Sequence, residues 1–307
     1  MKQRFYGALL FLLVALFYIS PSHPASAQED DGDYVMVDMK TGAEQTIDLD
    51  QGEYSEDQEF VSEPSIPTRN KPMLKTLGGF GIPGVSTYSI IGSDDRRKVT
   101  NTDQYPYTTI ARLEITYQDG TVVFGTGAMI NPRLLATVGH LLINSNGSHL
   151  KSVRIEFGRN GNFEYYNTSQ VHSYIYRTGF ETDRPVVGDY GFIVFKDNTV
   201  SRVTGYMGIV TVPSMSDQLY TAGYPADKWY YYMYATTGKI VNMEADLIYH
   251  NMDTQPGQSG SPVYIIDSAS GLPYLVAMHS SGAGTVNIAR RLEPELFYWL
   301  KDHGYFG

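Results

Sequence analysis

Apolar residues recur along this chain in short runs, and these runs, more than any long helical stripe, set the expected architecture. From residue 89 onward, stretches rich in Val, Ile, Thr, Tyr and Phe are separated by Gly, Asn, Asp and Pro. They predict strands at 108–117, 122–130, 134–138, 153–157, 190–195, 219–223, 230–237, 263–266 and 274–279. Half-buried pleated faces suit β-branched and aromatic side chains, which gives a use to the 25 tyrosines. Many short strands at this spacing predict an all-β barrel or sandwich. One helix stands out: Glu293-Pro294-Glu295 opens an amphipathic stretch running to Lys301, which Gly304 can cap.

The first 88 residues follow other rules. Lys2 and Arg4, an apolar run ending at Ile19, and Ala25-Ser26-Ala27 read as a signal peptide over 1–27, cut after Ala27. The run is shorter than the roughly 20 apolar residues that span a bilayer, so no membrane attachment is expected after cleavage. Residues 28–88 hold 13 acidic and 4 basic residues, whereas the chain from Ser89 to the end is net −3. With little apolar content, the acidic stretch is not expected to bury enough surface to order its backbone. Composition leaves open whether it is a solvated tail or a propeptide removed near the Gly- and Pro-containing stretch 78–84. The absence of cysteine excludes disulfides, a thiol nucleophile and cysteine-based zinc sites, and no metal or cofactor is expected. Without a basic block, no nucleic-acid partner is expected either.

Candidate chemistry begins at Pro256-Gly257-Gln258-Ser259-Gly260-Ser261-Pro262, a serine between glycines just before a strand. Flanking glycines allow a sharp turn that exposes Ser259 Oγ, and the amides of Gly257 and Ser259 are candidates for an oxyanion hole. Taken alone, this is also the pattern of an ordinary Gly-Ser loop. Position 261 is Ser, so the G-x-S-x-G elbow of lipases is not matched. A serine hydroxyl needs a base. His140 interrupts an apolar run between Val138-Gly139 and Leu141-Leu142, where a buried imidazole needs a partner, and Asp189 stands at the mouth of the apolar strand 190–195. The other histidines, His149, His172, His250 and His303, carry no motif and read as surface or structural.

His140, Asp189 and Ser259 occur in the chain order of the chymotrypsin type. From Ser89 to Gly307 the chain resembles the glutamyl endopeptidases, the V8-like branch of chymotrypsin-fold bacterial serine proteases. The resemblance rests on Ile91-Gly92-Ser93-Asp94-Asp95-Arg96, Val99-Thr100-Asn101-Thr102, Thr137-Val138-Gly139-His140, Gly188-Asp189-Tyr190 and the stretch from Asp253-Thr254 through Val263. It implies two antiparallel six-stranded β-barrels with a short C-terminal helix and a catalytic triad of His140, Asp189 and Ser259 in the cleft between them. It further implies an S1 pocket for glutamate formed by Thr254 and His279, a hydroxyl and an imidazole that both donate to a carboxylate, with added charge if the imidazole is protonated. By the same likeness Ser89 is the mature N-terminus, so cutting Tyr88–Ser89 would remove an acidic propeptide over 28–88 and leave a protease domain over 89–307. Leu141 stands where many relatives have a cysteine, and Ser280-Ser281 depart from an aromatic-containing pattern at the subsite edge.

The expected protein is thus a secreted, extracellular bacterial serine endopeptidase, monomeric and made as a zymogen. Its expected partners are protein or peptide substrates cut after glutamate and less readily after aspartate. An inactive protease-like envelope binding protein and a protease of broader specificity are the competing readings.

Overall fold

The computed structural model describes residues 34–49, 59–67 and 89–306. The signal peptide over 1–27, the stretch 78–84 and Tyr88 of the expected cleavage bond lie outside them. Before Ser89 come strands β1 (Tyr34–Asp38), β2 (Glu44–Ile47) and β3 (Val61–Ser62). The first half of the remaining chain forms β4 (Arg97–Lys98), β5 (Ile110–Tyr117), β6 (Val122–Met129), β7 (Leu134–Thr137), β8 (Leu150–Phe157), β9 (Tyr166–Thr168), β10 (Ser173–Arg177) and β11 (Gly191–Val194). Helix α1 (Thr199–Thr204) and β12 (Gly208–Val210) lead to β13 (Gln218–Gly223), β14 (Tyr234–Met243), β15 (Leu247–His250), β16 (Pro262–Ile266), β17 (Pro273–Gly282), β18 (Asn287–Arg291) and helix α2 (Pro294–Asp302).

The all-β expectation holds, and the strands form two sheets. In the second, β13, β14, β15, β18, β17 and β16 pair in that order and β16 returns to β13, closing a six-stranded antiparallel barrel. In the first, nine strands pair in the order β2-β1-β10-β11-β7-β6-β5-β8-β9, and within the described residues a short connection leads from β9 to β10. One face of this sheet carries Leu113, Ile115, Leu135, Phe157 and Ile193, and the other Ile175 and Phe192, the latter against Phe297 of α2; all are buried. Removing a side chain of this kind from water stabilises by about 1.5–3 kcal/mol each. In α2, Pro294 occupies the first turn, Leu296, Phe297 and Leu300 are buried, and Gly304 follows the last turn with φ +76°.

Two expectations are corrected. The strand predicted at 230–237 starts only at Tyr234, because a 3₁₀ turn at Ala226–Lys228 is followed by Trp229 and Tyr230 with φ of +63° and +57°. Such left-handed backbone cannot continue a pleat. The acidic segment, expected not to order, does so in part. β1 pairs with β10 along all five of its residues and β2 covers β1. Tyr34 and Ile47 are fully buried there. The segment builds no core of its own; its short apolar run borrows the edge of a sheet that already exists.

Candidate active site

His140 sits in a 3₁₀ turn (Gly139–Leu141) directly after β7, and Asp189 follows a second such turn (Val186–Gly188) directly before β11. β7 and β11 are hydrogen-bonded neighbours, with Thr137 opposite Gly191. Pairing two adjacent strands therefore brings together residues 49 positions apart. Asp189 Oδ1 accepts from the His140 backbone N–H at 2.9 Å, and Oδ2 lies 2.9 Å from Nδ1 of the ring. On its other side the ring places Nε2 2.8 Å from Ser259 Oγ, which reaches the cleft from the second barrel on the loop before β16.

Asp189 is buried and Ser280 Oγ on β17 donates to its Oδ2 at 2.5 Å. Burial opposes ionisation of Asp189 most strongly. The charge of His140, its ring and backbone N–H groups and the Ser280 hydroxyl together outweigh burial and hold the carboxyl below the usual carboxylate range. Asp189 is thus an anion aimed at Nδ1, which fixes the proton there and leaves Nε2 to accept from Ser259.

The loop carrying Ser259 is held by its carbonyls. Thr126 Oγ1 donates to Gly257 O at 2.8 Å and the Thr126 N–H to Ser259 O at 2.9 Å. Gly257 has φ +92°, and a Cβ there would lie 2.4 Å from Tyr224 O and 2.5 Å from the Tyr230 ring. Only glycine fits. With these carbonyls turned into the protein, the Gly257 and Ser259 amides are the groups this loop can offer to a developing oxyanion. Gln258, fully buried behind the serine, accepts from the Gln255 N–H at 3.0 Å and from Arg96 at 3.4 Å, and Arg96 is itself fixed 2.8 Å from both Asp94 and Asp227.

A cleft of about 500 Å³ runs past these groups, lined by His140, Asp189, Gly257, Ser259, Ser280, Ser281, Phe124, Tyr230 and Leu141 among others. Leu141 fills the space over Gly125, where a Cβ would lie 2.2 Å from Leu141 Cδ1.

Thr254 and His279 are brought to the same loop but not to the cleft wall, since both are fully buried. Thr254 Oγ1 has no hydrogen-bond partner among the described residues. His279 points into the second barrel, its ring 5.5 Å from that of His250. Burial pushes both imidazoles down, His250 to about 3 and His279 well below the usual histidine range. For His279 the charges of His250 and His140 add to burial, while Asp189 and a hydrogen bond to the Ile288 backbone oppose it. His279 is therefore neutral in the free protein, because the barrel interior desolvates it, and the condition for added charge, a protonated imidazole, is not met there. Ser89 lies beside Thr254: its carbonyl accepts from the Thr254 N–H at 3.2 Å and from Asn287 Nδ2 at 2.8 Å, and its own N–H donates to Asn287 Oδ1 at 3.2 Å. Asp253 accepts from the N–H groups of Ile91 and Asp95 at 2.6 and 2.9 Å.

Sequence reasoning missed Ser280 as a donor to Asp189, the Arg96–Gln258 brace, and His250 as the neighbour of His279. No spacing signals the first two; His250, on the short β15, was classed only as surface or structural. Among the described residues, no group of three or more His, Asp and Glu side chains converges as a metal site would require.

No protein-family model matches the chain. It is 30% identical over 304 residues to a glutamyl endopeptidase of Bacillus licheniformis, an alignment spanning 95% of this chain and 94% of that protein. It is 29% identical over 222 residues to an extracellular metalloprotease of Bacillus subtilis, spanning 70% of each. Among solved structures, a Glu endopeptidase in complex with MPD superposes with a TM-score of 0.61 at 23% identity, over 71% of this chain and all of the other.

Proposed function

From the premise that the chain belongs to the glutamyl endopeptidase family and is a serine endopeptidase acting on peptide substrates, we propose that it cuts after glutamate, less readily after aspartate, through Ser259, His140 and Asp189. The observation that carries this reading is the unbroken line of contacts from buried Asp189 through His140 to Ser259 Oγ. His140 Nε2 takes the Ser259 proton as Oγ attacks the scissile carbonyl. Asp189 keeps the imidazole in the tautomer able to do so and stabilises the imidazolium that forms. The Gly257 and Ser259 amides receive the negative charge of the tetrahedral intermediate. His140 then gives its proton to the leaving amine, and water attacking the acyl-enzyme repeats the steps in reverse order.

Thr254 and His279 are the candidates for holding the glutamate carboxylate. A buried carboxylate needs hydrogen-bond donors and compensating charge. The unpartnered Thr254 hydroxyl supplies a donor and His279 a second. With His279 neutral, the charge falls to the α-ammonium that cutting Tyr88–Ser89 would create at Ser89, next to Thr254. In the uncut chain that nitrogen is an uncharged amide, so the triad is assembled before processing while the pocket lacks its cation. This is a zymogen whose latency lies in the specificity pocket. The signal-peptide pattern over 1–27 supports export, and among the described residues no helix is long and apolar enough to cross a membrane.

The test is a set of peptide substrates differing only in Glu, Asp, Gln or Leu before the scissile bond, assayed with uncut and cut protein and with Ser259→Ala. The reading expects cutting to raise kcat/KM for Glu selectively, and Ser259→Ala to abolish turnover. Equal rates on Glu and Leu substrates after cutting would defeat the specificity, and an active Ser259→Ala protein would defeat the mechanism.

A further inference from the structure

None of the described residues of the segment before Ser89 lines the cleft. The same segment is nonetheless packed on the protease domain at two places, through contacts belonging entirely to residues 34–49 and 59–67. The first is the edge of β10, where β1 completes a five-residue antiparallel ladder from Tyr34 opposite Arg177 to Asp38 opposite Ser173. The second is helix α2 and β12. Phe60 stacks on Phe297 with ring centroids 5.5 Å apart and meets Phe306 edge-on, Tyr298 Oη donates to Glu59 O at 2.9 Å, and β3 pairs with β12.

Tyr34 makes the contact closest to the chemistry. Its ring meets that of Tyr190 edge-on at 5.8 Å, the two hydroxyls are 2.7 Å apart, and Tyr34 also donates to Glu293. Glu293 is bound in addition by Arg290 and by Arg177, the latter at 3.2 Å. Both arginines donate to the carbonyl of Val187. Val187 lies two residues before Asp189, and Tyr190 directly follows it. One tyrosine of the upstream segment thus closes a buried polar network whose other end is the turn that presents Asp189.

We propose that this face of the protease domain is a docking surface for residues 34–49 and 59–67 of the upstream segment. The segment stays bound when the chain is cut before Ser89, with Tyr34 as the anchor that braces the Asp189 turn from behind the cleft. The proposal rests on the reading that the chain is processed at that bond. Main-chain pairing supplies the register, Ile47 and Phe60 supply buried apolar contact, and the Tyr34 hydroxyl donates to Glu293 Oε2 while Arg177 and Arg290 bind Oε1. Without the segment the edge of β10 would be left open for pairing with another chain.

The test uses the full chain carrying Ser259→Ala, so that it cannot digest itself, and a recognition site for an added protease inserted between Ser86 and Thr87. After cutting, native mass spectrometry and size exclusion at about 10 μM are expected to find the upstream fragment with the domain in one-to-one ratio. Tyr34→Phe, which keeps the ring and removes the hydroxyl, is expected to weaken retention by about tenfold, and Tyr34→Ala by more. A fragment that elutes free from the cut chain would overturn the docking. A Tyr34→Phe fragment held as tightly as the unaltered one would overturn the anchor, and this conservative variant remains informative if Tyr34→Ala does not fold. Because the readout is association in an inactive protein, its failure leaves the glutamate assays untouched, and their failure leaves it untouched.

Discussion

Two pairs of titratable groups lie close to Ser259 and are treated in opposite ways. His140 and Asp189 are linked by hydrogen bonds from ring and backbone, and Ser280 adds another, so burial of the aspartate is compensated and the pair can carry charge. His250 and His279, inside the second barrel, are fully buried against each other, and desolvation keeps them neutral. The comparison teaches that partners, more than residue type, decide whether an imidazole here stands in a paired, charge-bearing setting or is held neutral. The sharpest way to break it is Asp189→Asn, which keeps shape while removing the anion. A kcat loss of about 10⁴-fold is expected with little change in KM, since the wrong tautomer leaves Nε2 unable to accept from Ser259. A loss below tenfold in steady-state assays would mean that Asp189 is not what orients His140.

The neutral pair is tested through stability. A group whose pKa is depressed in the folded protein binds its proton first in the unfolded chain, so stability falls as pH drops from the unfolded value toward the folded one. For His250 that window runs from about 6.5 down to about 3. By its lower end the group costs on the order of 4 kcal/mol. His250→Phe removes this group and is expected to flatten the fall in denaturant midpoint over that range; an unchanged slope would contradict burial in the neutral form. Asp189 carries the same sign: its depressed pKa contributes stability at neutral pH that is lost as acid protonates the folded carboxyl. For His279, replacement by Ala is expected to lower kcat/KM on Glu substrates by about 10- to 100-fold, the worth of one hydrogen bond to a charged group, with Leu substrates little affected. Equal losses on both would make its role one of packing alone.

What the sequence made legible follows from how local each signal is. His140 and Ser259 are marked by their immediate neighbours, an apolar run broken by an imidazole and a serine between glycines, and nine of the strands are marked by their own runs of β-branched, aromatic and other apolar residues. β15 and β18 are not: β18 carries Arg290 and Arg291, and Arg290 is fully buried because Glu293 and backbone carbonyls surround it. β1 was invisible for a related reason. Its few apolar residues sit in an acidic stretch, and what orders them is the β10 edge, more than a hundred residues away. Ser280, noted at the subsite edge, does line the cleft, but its bond to Asp189 was not legible because it depends on the register of β17.

That register gives the smallest effect and the closest test of the comparison. Successive strand residues point to opposite sides, so His279 enters the barrel interior while Ser280, one position later, turns to Asp189. A single strand thus feeds both histidine environments. Ser280→Ala removes one of the donors that offset the burial of Asp189, leaving those of His140 in place. The loss of one hydrogen bond to a charged group, about 1.5 kcal/mol, is expected to lower kcat about tenfold while the preference for Glu over Leu stays as it was. The Asp189 pKa should move up, so that activity is lost at a higher pH on the acid side of the rate profile. If the profile does not move and the Glu preference falls instead, Ser280 serves the neutral pocket and the division between the two environments does not run along β17.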